Sequence, residues 1–84
     1  MTDALHQQLL EAHASENVEL LATLYGRAAT EAESRACVDE ACFFLTQAYV
    51  FALEAGAPDA AEFNRRLAHY GRDILRNDIP GAAK

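Results

Sequence analysis

Apolar residues recur at intervals of three and four along most of the chain, which is the spacing of helices with one buried side. The first predicted helix covers residues 3–14, with Thr2 as its N-cap. The second is predicted at residues 16–33, with Ser15 as its N-cap and acidic residues in its first turn. A break near residues 34–39 separates it from the next helix.

The third predicted helix, at residues 39–55, is apolar around most of its circumference. A helix of this kind needs neighbours on nearly every side. We therefore expect it to lie at the centre of the fold, with Phe44, Phe51 and Leu53 buried. One strip along this helix is partly polar, and it consists of Phe43, Thr46, Gln47, Val50 and Glu54.

Gly56 is predicted to end the third helix in a left-handed conformation, and Pro58 fits the first turn of a fourth helix. The fourth helix is predicted to run to about Arg76. Its predicted inner face consists of Ala60, Phe63, Leu67, Gly71, Ile74 and Leu75. Residues 77–84 are expected to form a loose tail.

The length of 84 residues is enough for a single domain, with an ordered part at about residues 3–76. The predicted connections are short, so consecutive helices are expected to pack antiparallel as two helical hairpins. The sequence therefore predicts an all-α fold of four antiparallel helices.

Charge and hydropathy narrow the function classes. The net charge of −6 argues against a nucleic-acid surface, which needs clustered cations. No apolar run reaches the length of a membrane helix, and the first residues lack the layout of a signal peptide. We therefore expect a cytoplasmic protein. The excess of alanine, and of arginine over lysine, favours a bacterial source with a GC-rich genome.

The residue types that carry catalysis or bind metals are scattered. His6, His13, His69, Cys37 and Cys42 show none of the spacings typical of zinc sites, so free thiols and no metal are expected. No nucleophile stands in a known catalytic signature, and no glycine-rich loop is present to hold a phosphate. The sequence thus predicts no cofactor and no enzymatic activity.

A partial internal repeat leads to a family resemblance. The tripeptide Tyr25-Gly26-Arg27 recurs as Tyr70-Gly71-Arg72. Residues 55–61, followed by residues 67–71, resemble the turn and second helix of tetratricopeptide (TPR) and Sel1-like repeats. The resemblance covers about residues 18–72, little more than one repeat.

Individual positions carry this resemblance. Those similar to the first helix of a repeat are Leu45, Thr46 and Tyr49, and those similar to the second are Ala60, Leu67 and Ala68. Thr46 stands where glycine or alanine is usual. The resemblance implies a right-handed TPR-like array that binds proteins. Because such arrays usually need three or more repeats, self-association would supply the missing neighbour.

Two surfaces are predicted to contact partners. The first is the strip of Phe43, Gln47, Val50 and Glu54, which the resemblance places along an inner groove unless the first helix or the N-terminal residues cover it. The second is a basic stripe on the outer side of the last helix, formed by Arg65, His69, Arg72 and Arg76. For that stripe, the alternative is an ordinary solvated face.

These surfaces lead to two functional hypotheses. The favoured one is a non-catalytic protein-interaction module that binds a helix or an extended peptide, with a second copy of the chain as the preferred partner. The alternative is a small regulatory domain that binds a small molecule between its helical hairpins. Neither hypothesis involves nucleic acid or a membrane.

Overall fold

The computed structural model describes residues 3–82, which contain four helices and no strand. The helices are α1 (Asp3–Ala14), α2 (Val18–Ser34), α3 (Val38–Ala55) and α4 (Asp59–His69). The predicted all-α class is thus confirmed for this part of the chain. Thr2, the predicted cap of the first helix, lies outside the described residues.

Helices that follow one another in the sequence also pack against one another, α1 on α2, α2 on α3 and α3 on α4. In addition, α4 reaches α2 at Gly26, where a Cβ atom would lie only 3.0 Å from the Phe63 ring. The missing side chain of Gly26 allows this approach. His13 of α1 meets the Phe51 ring of α3 edge-on, with ring centroids 5.9 Å apart. The resulting arrangement is flat, with Cα extents of 37 × 29 × 13 Å.

The core side of α3 consists largely of alanine. Ala41, Ala48 and Ala52 are fully buried, together with Leu45. Such short side chains allow neighbouring helix axes to come close, because the distance between packed helices depends on the side chains at the contact.

The expectation that α3 is enclosed on nearly every side is wrong. Phe44 is buried as predicted, but Phe51 is only partly buried and Leu53 is 38 % exposed. The alanine-rich side of α3 packs against its neighbours, and the opposite side faces solvent. In a flat arrangement of four short helices, the other three helices cannot cover α3 on every side.

All four helices end in the same way. A residue with positive φ follows each helix, and these residues are Glu16 (φ 53°), Ala36 (φ 58°), Gly56 (φ 65°) and Gly71 (φ 73°). The next amide in each case donates to a carbonyl oxygen five residues back, and the acceptors are Ala12, Ala32, Ala52 and Leu67. This hydrogen bond belongs to the Schellman motif. The first three turns are spaced 20 residues apart, and the prediction for Gly56 is confirmed.

The start of α2 differs from its prediction. Its N-cap is Asn17, whose side chain accepts a hydrogen bond from the Leu20 amide at 3.1 Å. Ser15 belongs instead to the end of α1, where its hydroxyl donates to the Glu11 carbonyl at 3.0 Å. Serine is favourable in both roles, and the positive φ of Glu16 moves the start of α2 beyond it.

The fourth helix ends at His69, so its predicted extension to Arg76 is wrong. Gly71 does not continue the inner face, because its positive φ terminates the helix. Ile74 and Leu75, also predicted to face inward, are 80 % and 63 % exposed.

A buried asparagine fixes the segment that follows α4. The Asn64 side chain is fully buried, donates to the Ile74 carbonyl at 2.9 Å and accepts from the Arg76 amide at 2.8 Å. Further along, Gly81 lies so close to Pro58 that any side chain at this position would overlap the Pro58 backbone. The chain therefore returns along α4 to the beginning of that helix.

The repeated turns predict opposite effects for two substitutions. Ala36→Gly removes an unfavourable left-handed alanine and its exposed methyl group, so it should stabilise the fold by about 0.5–1 kcal/mol. Gly56→Ala should destabilise it by a similar amount, because the Cβ meets no atom within 4 Å and only backbone strain is added. Urea unfolding followed by circular dichroism measures the free energy of unfolding of both variants. A loss of stability in Ala36→Gly would contradict the strain assigned to Ala36.

Candidate interaction surface

The side of α3 that faces away from the core presents apolar side chains to solvent. We call it the outer face of α3, and it consists of Asp39, Phe43, Thr46, Gln47, Val50, Leu53 and Glu54. Phe43 is 58 % exposed, Val50 43 % and Leu53 38 %. These positions share one side because residues three and four apart are neighbours on a helix surface.

The packing of α2 explains why Phe43 is left outside. Tyr25 of α2 stacks on Phe51 with ring centroids 5.9 Å apart and lies 6.2 Å from the Phe44 ring. These contacts fix the side of α3 that meets α2. Phe43 is one residue from Phe44 and therefore points about 100° away from it around the helix. The Phe43 ring meets the Phe44 ring edge-on at the border of the core, with ring centroids 5.5 Å apart.

The two ends of the outer face differ in charge. At the N-terminal end, Arg72 binds Asp39 at 2.7 Å, and Arg35 binds the neighbouring Glu40 at 3.0 Å. At the C-terminal end, Glu54 is exposed and forms no ion pair with any residue in 3–82. One end thus carries two arginines and the other a free carboxylate.

The predicted basic stripe on the last helix is not formed as a helical face. Arg65 and His69 share the exposed side of α4, but Arg72 and Arg76 lie beyond its end. Arg72 is bound to Asp39, and Arg76 is bound to Asp78 at 2.9 Å. The reason is the helix termination at Gly71, which the periodicity of the sequence did not reveal.

The described chain also has a cleft of about 740 Å³ between α4 and the segment that follows it. Ala61, Ile74 and Leu75 form apolar parts of its lining, and Arg65 contributes a guanidinium group. Arg65 forms no hydrogen bond or ion pair with another residue in the described range. This cleft does not lie between helical hairpins, where the sequence-based alternative placed a small-molecule site.

A polar network joins α2 to α4. Glu33 binds Arg66 and accepts a hydrogen bond from the Tyr70 hydroxyl at 2.6 Å, and Arg66 also donates to the Thr30 hydroxyl at 3.3 Å. Partial burial would raise the pKa of Glu33, but the hydrogen bonds from Tyr70 and Arg66 outweigh it and hold that pKa below its ordinary value. The network was not predicted, although its charges are visible in the sequence.

A metal site, a disulfide or a membrane span would be a further functional feature of residues 3–82. No group of three or more histidine, cysteine, aspartate or glutamate side chains in that range is placed to hold a metal ion. Cys37 and Cys42 are free thiols, the second of them buried. None of the described helices is long and apolar enough to cross a membrane.

No protein-family model, curated protein or solved structure matches this chain. The function is therefore inferred from the geometry of residues 3–82. Of the residues predicted to contact partners, the structure places Phe43, Gln47, Val50 and Glu54 together on one accessible surface. It separates Arg72 and Arg76 from Arg65 and His69.

The lowered pKa of Glu33 gives a pH prediction. A carboxylate whose folded pKa is depressed adds stability above its ordinary pKa, and this stability is lost as the pH falls through the folded value. Glu33→Gln should therefore cost about 1.5 kcal/mol at neutral pH, and the difference from wild type should shrink in acid.

Glu62→Gln is the matched control. Glu62 approaches the same Arg66 at 3.4 Å, but its side chain is 60 % exposed. Its removal should therefore change stability little. Urea unfolding of both variants between neutral and acidic pH measures the difference, and a Glu33→Gln penalty that stays constant with pH would rule out the assigned role.

Proposed function

We propose that this chain is a non-catalytic protein-interaction module that self-associates through the outer face of α3. The observation that carries the proposal is the exposure of Phe43 and Val50, two turns apart on one helix face. Removing apolar surface from water is favourable by roughly 25 cal/mol per Å², before the entropy cost of association is subtracted. Exposed apolar residues grouped in this way mark contact surfaces on soluble proteins.

The partner that fits this surface is a helix. A helix face matches a second helix through side chains spaced three and four residues apart, and here Phe43 and Val50 would be the apolar anchors. Gln47 and Glu54 would set the orientation of the partner through hydrogen bonds and charge. Arg65 and His69 lie on α4 and would form a separate polar contact.

The fold proposed for this module is TPR-like. We propose that α1 with α2 and α3 with α4 form two antiparallel hairpins in a right-handed array, with the outer face of α3 lining its groove. The recurrence of one turn type every 20 residues supports a repetitive architecture. A second copy would supply the neighbour that so short an array lacks. The net charge of −6 supports a protein partner over nucleic acid.

The sharpest test replaces the most exposed anchor. Phe43→Glu should raise the dimer dissociation constant about 30-fold, because a dimer of identical chains would lose about 1 kcal/mol at each of its two Phe43 side chains. Sedimentation velocity over a range of protein concentrations measures this constant. Circular dichroism should show an unchanged fold, because Phe43 is 58 % exposed.

Leu10→Glu is the control for the loss of an exposed apolar residue elsewhere. Leu10 lies on α1 and is 51 % exposed, so its exposure is close to that of Phe43. It should leave the dissociation constant unchanged. A wild-type chain that stays monomeric at the highest concentrations, or equal effects of the two variants, would refute self-association through α3.

The cleft beside α4 supports a second candidate function, the binding of a small anionic molecule. Its volume of about 740 Å³ lies in the range of ligand sites. Its lining combines Ile74 and Leu75 with Arg65, which has no ion-pair partner within residues 3–82, and with the carboxylates of Asp73 and Asp78, the second of which is bound to Arg76. The guanidinium group would bind a carboxylate or phosphate.

A thermal-shift screen with carboxylates and phosphates tests this second candidate. A binding anion should raise the wild-type unfolding temperature by a few degrees, roughly 2–4 °C per about 0.5 kcal/mol in a domain of this size. The Arg65→Ala variant should lose that shift, whereas Arg27→Ala, on a helix that does not line the cleft, should retain it. A panel without any stabilising compound would count against a ligand in the cleft.

A further inference from the structure

We infer, on the basis of the proposed self-association, that two copies pair α3 with α3 in antiparallel orientation. The two-fold axis passes between Thr46 and Gln47. The outer face of α3 is self-complementary about this point, both in the placement of its apolar side chains and in the placement of its charges.

The apolar anchors on the outer face of α3 are placed symmetrically. Phe43 and Val50 are equally distant from the midpoint between residues 46 and 47. A two-fold axis at that midpoint places Phe43 of one copy opposite Val50 of the other, and the same contact occurs twice. The large ring therefore meets the smaller branched side chain, and both become covered.

The charged residues at the two ends of the outer face are placed symmetrically as well. Asp39 and Glu54 are also equally distant from the midpoint, so the antiparallel pairing brings Glu54 of one copy to the N-terminal end of α3 in the other. Asp39 alone would repel it. Arg72 lies 2.7 Å from Asp39, and its side chain is 44 % exposed, so it is placed to contact both carboxylates.

A second arginine, Arg35, lies at the same end of α3. Arg35 binds Glu40 at 3.0 Å and Glu31 at 3.6 Å, and it is 43 % exposed, so its guanidinium group is accessible but shared by two carboxylates. The exposed N-terminal end of a helix also favours an incoming anion.

Parallel pairing lacks this match. It would place Glu54 opposite Glu54, and no described cation is bound to that residue. It would also set the Phe43 rings against each other and leave Val50 facing Val50. Charge complementarity thus selects the antiparallel arrangement of two copies.

A double-mutant cycle tests the proposed contact between Glu54 and Arg72. Arg72→Gln should weaken the dimer about tenfold in the wild-type background, because the two-fold axis makes each substitution act twice. In the Glu54→Gln background, the same change should cost less than about threefold, since the carboxylate that Arg72 contacts across the interface is already gone.

Arg27→Gln provides the matched control. It removes the same charge from α2, in a groove between α2 and α4 that contains no residue of α3. It should leave the dissociation constant within about twofold of wild type. Strictly additive effects of Arg72→Gln and Glu54→Gln would overturn the proposed charge contact.

Cross-linking tests the register independently of charge. In a Cys37→Ser background, which leaves only the buried Cys42, oxidation should join two copies of the Gln47→Cys variant into a disulfide-linked dimer. Two copies of the Glu54→Cys variant should not cross-link, because their positions would lie roughly 22 Å apart along the helix axes. Efficient cross-linking of Glu54→Cys would overturn the antiparallel register.

The outcomes separate this inference from the proposed function. A dimer that Phe43→Glu disrupts, but that shows additive charge effects and cross-links at Glu54→Cys, would retain self-association through α3 and refute the antiparallel pairing. A wild-type monomer at every concentration would refute both.

Discussion

Close packing of neighbouring helices against the alanine-rich side of α3 determines the rest of the structure. Ala41, Ala48 and Ala52 are fully buried, and they occupy the side of the helix that meets its neighbours. Because α2 and α4 share this side and contact each other at Gly26, and because α1 packs mainly on α2, no described helix covers the opposite side. The most apolar helix therefore has both fully buried side chains and an exposed phenylalanine.

The helices were predictable because their signals are local. Periodic apolar residues give the approximate extent of α1, α2 and α3, and Gly56 marks the end of α3 because glycine is common in a left-handed C-terminal turn. The equivalent residues Glu16 and Ala36 gave no such signal. Their conformation is imposed by the packing of the helices on either side, so the exact start of α2 could not be predicted.

The region after His69 could not be predicted for a different reason. The tripeptide Tyr-Gly-Arg occurs twice, but Gly26 lies within α2 against Phe63, whereas Gly71 terminates α4. The same local sequence thus has two conformations that depend on tertiary contacts. Asn64 holds the following segment through long-range hydrogen bonds, and in the sequence it stands only as an asparagine among the apolar residues of one helix face.

The exposed face of α3 combines apolar side chains with arginines at one end only, and this combination would suit the proposed reversible association. A continuous apolar surface would promote aggregation, whereas here Thr46, Gln47 and Glu54 interrupt it. Long-range repulsion between copies of net charge −6 opposes non-specific contact. In the proposed dimer, association would require an orientation in which Glu54 meets an arginine, so charge would also select how two copies meet. The polar residues of the face would then contribute specificity, and the apolar ones would contribute affinity.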